Sequence, residues 1–496
     1  MGRRAMAETH RYDVVVVGCG VAGLSAVMAA LECGARVAVL ERAPEAERGG
    51  NTRYTTAAIR MASESEVSPD FEEQFARNAG YHLDPTLVAG AAEDYANWPG
   101  ILKTLSFADP ELVSTFAASA PPTIAWLRQH GVRFGPIGYY GLTPRSSPRI
   151  SISGGGQALI EAMAPRAESR GAEFYYETTA QGLIVDGDGR VAGLNAAGKG
   201  NRSIRFKAGA VVLACGGFEG NPEMVAHYLG ESGRYLRPVA RGGYYNKGEG
   251  IRMALAIGAA PSGDYSEYHA QPIDPRSGAT EPLVMIFTQG ILVNRRGQRF
   301  IDEAPGPIDA HYEDITRIIR KQPGGMAWCL LDAGVDEIEN WRRCIRTDQP
   351  PVEASTLDAL AQAIDMPAAA LAATVEAYNA ACTGGAFDPH AIDGLATRGL
   401  TPPKSNWARP IARPPFKAYP VISSNTFTFG GLKVTPNAEV VNASGEVIPG
   451  LYAAGETIGI YYGRYPGATS VLRGAVFGRI AGAHAGHANR YDASGR

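Results

Sequence analysis

Tyr12 to Val17 is an apolar run with valine at four consecutive positions, and the glycines that follow it leave few folds open. Gly18-Cys19-Gly20-Val21-Ala22-Gly23 turns the chain tightly. Leu24 to Glu32 reads as a helix that Gly34 ends, and Arg36 to Leu40 as a second strand closed by Glu41. The whole is a strand–helix–strand unit of about 30 residues. Its glycines have separate tasks. Gly18 makes the turn, Gly20 lets backbone amides approach a pyrophosphate, and Gly23 lets helix and strand pack closely. The helix N-terminus adds positive potential for phosphates, and Glu41 can accept ribose hydroxyls. The spacing alone recurs in many folds. The strand before it, the helix after it and the carboxylate at its end together point to a dinucleotide cradle.

A chain of 496 residues with 45% hydrophobic content has material for about two or three domains. The formal charge of −3, with Lys and Arg scattered, offers no field for nucleic acid. Cys19, Cys33, Cys215, Cys329, Cys344 and Cys382 form no CxxC and no metal-ligand spacing with histidine, so the expectation is a reducing, cytoplasmic setting without a metal. No apolar run reaches the roughly 18 residues of a membrane span, and Val14 to Val17 is too short for an export signal near Arg3-Arg4.

Residues 62 to 130 read as mostly helical. A long loop from Gly135 to Gly156 leads into a helix near Gln157. Phe174 to Val185 and Val191 to Leu194 flank Asp186-Gly187-Asp188-Gly189-Arg190 as a hairpin, and Lys207 to Ala214 is a further apolar strand. Between about 263 and 423 the pattern changes to short strands, amphipathic helices and a proline-rich stretch. Gly450 to Glu456 then restores the strand-then-glycine signature. The fold class expected is α/β: a discontinuous Rossmann-like domain over 10–262 and 424–496, with an α+β capping domain over 263–423 inserted into it.

NAD would suit the first unit as well as FAD. The choice rests on Arg48-Gly49-Gly50-Asn51-Thr52, which resembles the fumarate reductase and succinate dehydrogenase flavoproteins. Ser153-Gly154-Gly155-Gly156-Gln157, Ala214-Cys215-Gly216-Gly217-Phe218 and Ala453-Ala454-Gly455-Glu456 match three further flavin-domain motifs in that family's order. The resemblance covers nearly the whole chain. It implies FAD held by Gly18, Gly20, Ala22, Gly23, Glu41, Arg42, Gly49, Gly50, Asn51, Thr52, Gly154, Gly155, Gly156, Ala214, Gly216, Gly217, Gly455, Glu456, Ser470 and Val471. Some relatives attach FAD covalently through a histidine just after the glycine pair. Asn51-Thr52-Arg53-Tyr54 has none, so the FAD is expected to be dissociable.

The family transfers hydride between flavin N5 and a C–C bond activated by a carboxylate or carbonyl, while a protein group moves a proton at the adjacent carbon. His269 falls where the family has a substrate histidine. Gln289 to Phe300 resembles its cap-domain hairpin, but Ile286 stands where fumarate reductases carry their proton-donating arginine, and Phe427 where they place a second substrate histidine. These departures resemble a tricarballylate dehydrogenase-like branch. Tyr465-Pro466-Gly467-Ala468-Thr469 resembles 3-ketosteroid dehydrogenases, whose tyrosine there polarises a ring carbonyl. The catalytic set implied is Tyr465 as acid/base or electrophile, helped by a cation such as Arg464, with Arg464 and His269 orienting the substrate. Arg145 and Arg149 are read as solvated or backbone-bonded loop arginines; they and Arg473 are left outside that set.

The resulting expectation is an FAD-dependent CH–CH dehydrogenase or reductase acting on a small carboxylic acid or enone. Its electrons would pass to or from a separate carrier: oxygen, a quinone-linked protein or another molecule. A nicotinamide dehydrogenase and a non-catalytic flavin-carrying subunit are the alternatives. Purified protein is expected to be yellow, with a flavin band near ~450 nm that is released on denaturation. A colourless protein that binds NAD would instead favour the nicotinamide reading.

Overall fold

The computed structural model describes residues 8–76, 97–98, 100–105, 107–136, 138 and 140–488. Strand β1 (Glu8–Val17), helix α1 (Val21–Glu32) and strand β2 (Val37–Leu40) form the expected unit, with the helix starting at Val21 rather than Leu24. Val14 to Val17 are buried because β1 is central: it pairs in parallel with β2 on one side and with a later strand, Arg202–Leu213, on the other.

Residues 62 to 130 are less helical than their composition suggests. Met61–Ser63 and Glu66–Val67 are paired antiparallel, and Phe71–Ala76 is a short helix. Residues 77–96 lie outside the described part. The long helix there, α2 (Pro110–Gln129), starts where Asp109 accepts the backbone N–H groups of Glu111 and Leu112, with proline at its first position. Helix α3 (Gly155–Ser169) follows the long loop and begins at the glycines themselves.

The segment from Phe174 divides. Strand β3 (Glu173–Tyr175) joins β2 in parallel, while β4 (Thr179–Val185) and β5 (Val191–Gly198) make the hairpin, with Asp186 accepting the backbone N–H of Asp188 and Arg190. Strand β6 (Arg202–Leu213) starts before the apolar run at Lys207. In that added part only Ile204 and Phe206 are buried, an alternation suited to a sheet with one wet face.

A second sheet of six strands lies between residues 237 and 428. It comprises β7 (Arg237–Pro238), β8 (Tyr268–Ile273), β9 (Ile291–Asn294), β10 (Met326–Leu331), β11 (Val352–Ala354) and β12 (Phe416–Thr428). Strand β12 is its hub, pairing with β7, β8, β10 and β11. Helix α4 (Ile308–Ile319) packs on β8 and β12. The chain then returns to the first sheet through β13 (Glu439–Val441) and β14 (Val447–Ala453), the latter parallel to β6.

The last helix, α5 (Ser470–Ala488), lies along α1. It carries glycine every fourth residue on the facing side, and the two backbones nearly touch. A Cβ at Gly478 would sit 2.2 Å from the carbonyl oxygen of Ala22, and one at Gly482 2.1 Å from that of Ala26. Gly482→Val is therefore expected to destabilise the fold by on the order of 3 kcal/mol, since backbone cannot move aside as a side chain can. Urea unfolding followed by far-UV circular dichroism measures it. An unchanged midpoint would contradict this packing.

Candidate active site

The cradle opens where β1 ends. Gly18 has φ +104°, and a Cβ there would lie 2.3 Å from the Ala214 carbonyl oxygen, so only glycine lets this turn pass beneath the end of β6. Helix α1 has no acidic residue in its first turn, which suits an anion at its N-terminus. The Val21 N–H donates to Thr52 Oγ1 at 3.0 Å, tying α1 to the glycine-pair loop. That loop needs its glycines, since Gly49 and Gly50 take φ of +113° and +51° in succession.

Glu41 is buried. Its two oxygens accept the N–H groups of Cys19 and Ala43 at 3.1 and 2.8 Å, and each keeps a lone pair for a ribose hydroxyl. Burial raises its pKa against the pull of those hydrogen bonds. Gly18, Gly20, Ala22, Glu41, Arg42, Gly49, Gly50, Asn51, Thr52, Ala214, Gly216, Gly455, Glu456, Ser470 and Val471 all line one cavity, of about 1230 Å³ with its open mouth included. The buried Oδ1 of Asn51 has no donor within the protein. This donor and acceptor set, with its helix N-terminus, fits the ADP half and the ring of FAD.

Gly23, Gly154, Gly155, Gly156 and Gly217 do not line the cavity. They support it from behind. A Cβ at Gly23 would meet the Gly18 carbonyl oxygen at 1.9 Å, and one at Gly156 the Thr52 carbonyl oxygen at 1.6 Å. Gly217 leaves room for Glu456 and Thr428.

Glu456 lines the cradle and is paired with the buried Glu219 behind it. Its Oε1 accepts the Thr428 N–H at 2.8 Å, while Asn246 Nδ2 donates to Glu219 Oε1 at 2.6 Å. Asn51 Nδ2 donates to the same Glu219 oxygen. Burial, and then the negative charge of Glu456, push Glu219 well above the usual carboxylate range. The remaining oxygen, Oε2, is buried with no hydrogen-bond partner among the described residues.

A second cavity, about 810 Å³ with its mouth, adjoins the cradle. Thr55, Glu281, Thr426, Phe427, Ser470 and Val471 line both spaces. The deeper wall carries Tyr140, Arg145, Arg149, His269, Tyr312 and Tyr465. His269 is buried, with Nδ1 3.4 Å from Glu313 Oε1 and Nε2 3.4 Å from the Tyr312 hydroxyl. Although burial acts to raise Glu313, Arg317 and His269 hold its carboxyl below the usual range, so a negative charge backs the imidazole.

Tyr465 lies 4.5 Å from His269, ring centre to ring centre. Its hydroxyl oxygen accepts the N–H groups of Thr469 and Ser470 at 2.8 and 2.9 Å and its proton is directed to Ser470 Oγ at 3.0 Å. It thus sits on the N-terminus of α5. Two donors into the oxygen polarise the O–H and strengthen it as a donor. Tyr461 and Tyr462 are instead structural, bonded to Thr469 and to Ser262 and Gly263.

Arg464 departs from expectation. Its side chain is 58% exposed, pairs with Asp314 on α4 and does not line the chamber. Its carboxylate partner stands 150 residues away in sequence, so spacing along the chain could not reveal it. The cations that do face the chamber are Arg145 and Arg149. Arg149 is only 15% exposed, with Nη2 3.6 Å from Asp309 Oδ2 and a buried Nε lacking any acceptor. Ile286 is wholly buried in the core of the second sheet, and the Phe427 ring lies tilted 5.1 Å from that of His269, centre to centre. Arg473 lines the cradle beneath Tyr461. Glu281, Tyr312 and Glu219 carried no sequence signal beyond residue type.

A family model described as an FAD binding domain matches residues 13–472. NADH:acrylate oxidoreductase of Vibrio harveyi is 28% identical over 95% of this chain and 50% of its own length. The chain thus spans about half of that relative. Vinyl phenol reductase of Lactiplantibacillus plantarum is 27% identical over 97% of each chain. Among solved structures, the 3-ketosteroid-Δ4-(5α)-dehydrogenase of Rhodococcus jostii RHA1 superposes with a TM-score of 0.66 at 26% identity, over 97% of this chain and 98% of that one. The open flavocytochrome c3 fumarate reductase gives 0.73 at 24% identity, over 97% and 79%, a likeness of fold.

Because the folded state raises Glu219, it holds a proton there at pH values where the unfolded chain has lost it. The associated stability is fully present below the ordinary carboxylate pKa and is lost as pH rises through the folded value, at up to about 1.4 kcal/mol per pH unit. Glu219→Gln is expected to flatten that slope between pH 5 and 9 in urea titrations. An identical slope in both proteins would mean that Glu219 is ionised in the fold.

Proposed function

The chain belongs to the FAD binding domain family, and from that premise we propose that it is an FAD-dependent oxidoreductase acting on the C–C bond next to a carboxylate or carbonyl. When bound, FAD supplies or accepts the hydride of that reaction. The observation that carries the reading is the junction of the two cavities, where six residues line both the cradle and a chamber large enough for a small organic substrate. The names of the relatives support it. They include reductases of acrylate, vinyl phenol and fumarate, and a ketosteroid dehydrogenase.

On this reading Tyr465 and His269 hold the activating oxygen of the substrate. The Tyr465 hydroxyl, polarised by two backbone N–H donors, turns from Ser470 Oγ to that oxygen, and His269 is oriented by Glu313 and Tyr312. Arg149, with Arg145 beside it, supplies the positive charge that sequence reading had given to Arg464. Residues 263–423 act as the cap that closes the chamber over the parts at 10–262 and 424–496. The FAD is dissociable, since Asn51 to Tyr54 offers no histidine and Thr52 Oγ1 is engaged by α1. A separate carrier takes or supplies the electrons. Six free cysteines support a cytoplasmic place, and among the described residues no helix is long and apolar enough to cross a membrane.

A ketone-desaturating reading is kept for one reason: a Tyr465 held at a helix N-terminus suits a carbonyl as well as a carboxylate. Stopped-flow reoxidation of the dithionite-reduced protein, without oxygen, by acrylate, fumarate, 4-vinylphenol and cyclohex-2-enone separates the two. Faster reoxidation by the acids supports the carboxylate class. Tyr465→Phe is expected to slow the best of these reactions about 100-fold or more with FAD content unchanged. Near-normal turnover in that variant removes Tyr465 from the reaction, and reoxidation by none of the four removes the function.

A further inference from the structure

A chamber of this kind needs a group that moves a proton at the carbon next to the one exchanging hydride, and Ile286 cannot do so. That proton must be delivered where the cradle and the chamber meet. Of the six residues that line both, Thr55, Thr426, Phe427, Ser470 and Val471 do not ionise near neutral pH. The sixth is Glu281.

We propose that Glu281 is the proton carrier of this site, an inference that rests on the function proposed above. Its side chain is 6% exposed, and Oε2 accepts a hydrogen bond from Arg346 Nη1 at 2.8 Å, which leaves Oε1 for the chamber. The position is costly to build. Glu281 takes φ +47°, a left-handed conformation that a glutamate adopts rarely, and Arg346 holds the segment twice, through its side chain and through its backbone N–H to the Leu283 carbonyl. Strain retained at a buried carboxyl facing two cavities is what a functional constraint leaves behind. Burial also raises the pKa of this carboxyl, against the pull of Arg346, which favours a form with a proton to give.

Arg346 connects the site outward. Its side chain is 30% exposed, its Nη1 lies 3.3 Å from the Tyr140 hydroxyl, and Tyr140 itself lines the chamber. Bound FAD would supply the hydride in the reducing direction; as the alkene's π pair moves to the carbon next to the one that gains it, that carbon would take the proton from the Glu281 carboxyl. The carboxylate left behind is held by Arg346 and regains a proton from water. In dehydrogenation Glu281 would take the proton from that carbon, with bound FAD as the hydride acceptor.

The test compares wild type, Glu281→Gln and Glu281→Asp by anaerobic stopped flow, with two kinds of oxidant. One is whichever of acrylate, fumarate, 4-vinylphenol and cyclohex-2-enone reoxidises the wild type fastest. The other is 1-nitrocyclohexene, whose hydride adduct is a stable nitronate that needs no protonation at carbon. E281Q is expected to slow the first reaction by about 100-fold or more and to leave the second within a few-fold, with FAD content and substrate affinity retained. E281D, which keeps the acid but withdraws it by one methylene, is expected to fall between the two proteins, and it decides the matter if E281Q does not fold. An infrared carboxylic-acid C=O band present in wild type and absent from E281Q, or from E281D at the same frequency, reads the proton without turnover. Equal slowing of both oxidants, or an E281Q as fast as wild type on the first, overturns the inference alone. A wild type that reacts with neither oxidant overturns the functional reading and the inference with it.

Discussion

The arrangement depends on how closely α5 approaches α1. Gly474, Gly478, Gly482 and Gly486 face that helix, and at two of them a single added carbon would lie barely 2 Å from a carbonyl oxygen of α1. The contact fixes the height of α5 against the first sheet, because α1 is itself pressed onto β1 through Gly23 and Gly18. The N-terminus of α5 is therefore set in space by backbone packing. Ser470 and Val471 there line both cavities, and the N–H groups of Thr469 and Ser470 receive the Tyr465 hydroxyl. A shift of about 1 Å in α5 would move the tyrosine, the wall of the chamber and the end of the cradle together.

Charge is distributed around that frame unevenly. Glu41 and Glu281 at the cavities, and Glu219 behind the cradle, are buried and raised by desolvation. Desolvation disfavours the charged form of each of them. Only Glu281 among the three has a guanidinium at hydrogen-bond distance. The positive charges of the chamber, Arg145 and Arg149, come from the long loop before α3 and lie away from the junction with the cradle. Arg145 and Arg149 thus stand at the far wall, while Arg346 at Glu281 and Arg473 over the Phe427 ring lie behind the junction.

What could be read from sequence follows from how local each feature is. The β1–α1–β2 unit, the Asp186 hairpin and the glycine turns depend on neighbours within a few residues, and their spacing reports them directly. Strand β6 exceeds its apolar run because an alternating, half-wet strand resembles a loop in composition. The site's side chains are another matter. Arg464 and Arg149 are both arginines in Gly/Pro-rich loops, and only the tertiary positions of Asp314 and Asp309 decide which faces solvent and which the chamber. Glycine at 474, 478, 482 and 486 was legible as a four-residue period, a signal of close helix packing that could have tied the last helix to the first.

The same geometry orders a substrate along the chamber. On the proposed reading, hydride and proton must both arrive at adjacent carbons, so the reacting bond belongs at the junction lined by Glu281, Thr426 and Phe427. The activating oxygen then extends away from the cradle, towards His269, Tyr465 and the arginines, none of which itself lines the cradle. Negative charge that develops on that oxygen as hydride arrives is met by the polarised Tyr465 hydroxyl and the Arg149 cation, while the proton comes from the opposite end. Phe427, standing where the resembled fumarate reductases place a second histidine, presents an apolar face at the reacting bond. It removes a polar partner there and leaves recognition of the activating group to the deeper wall.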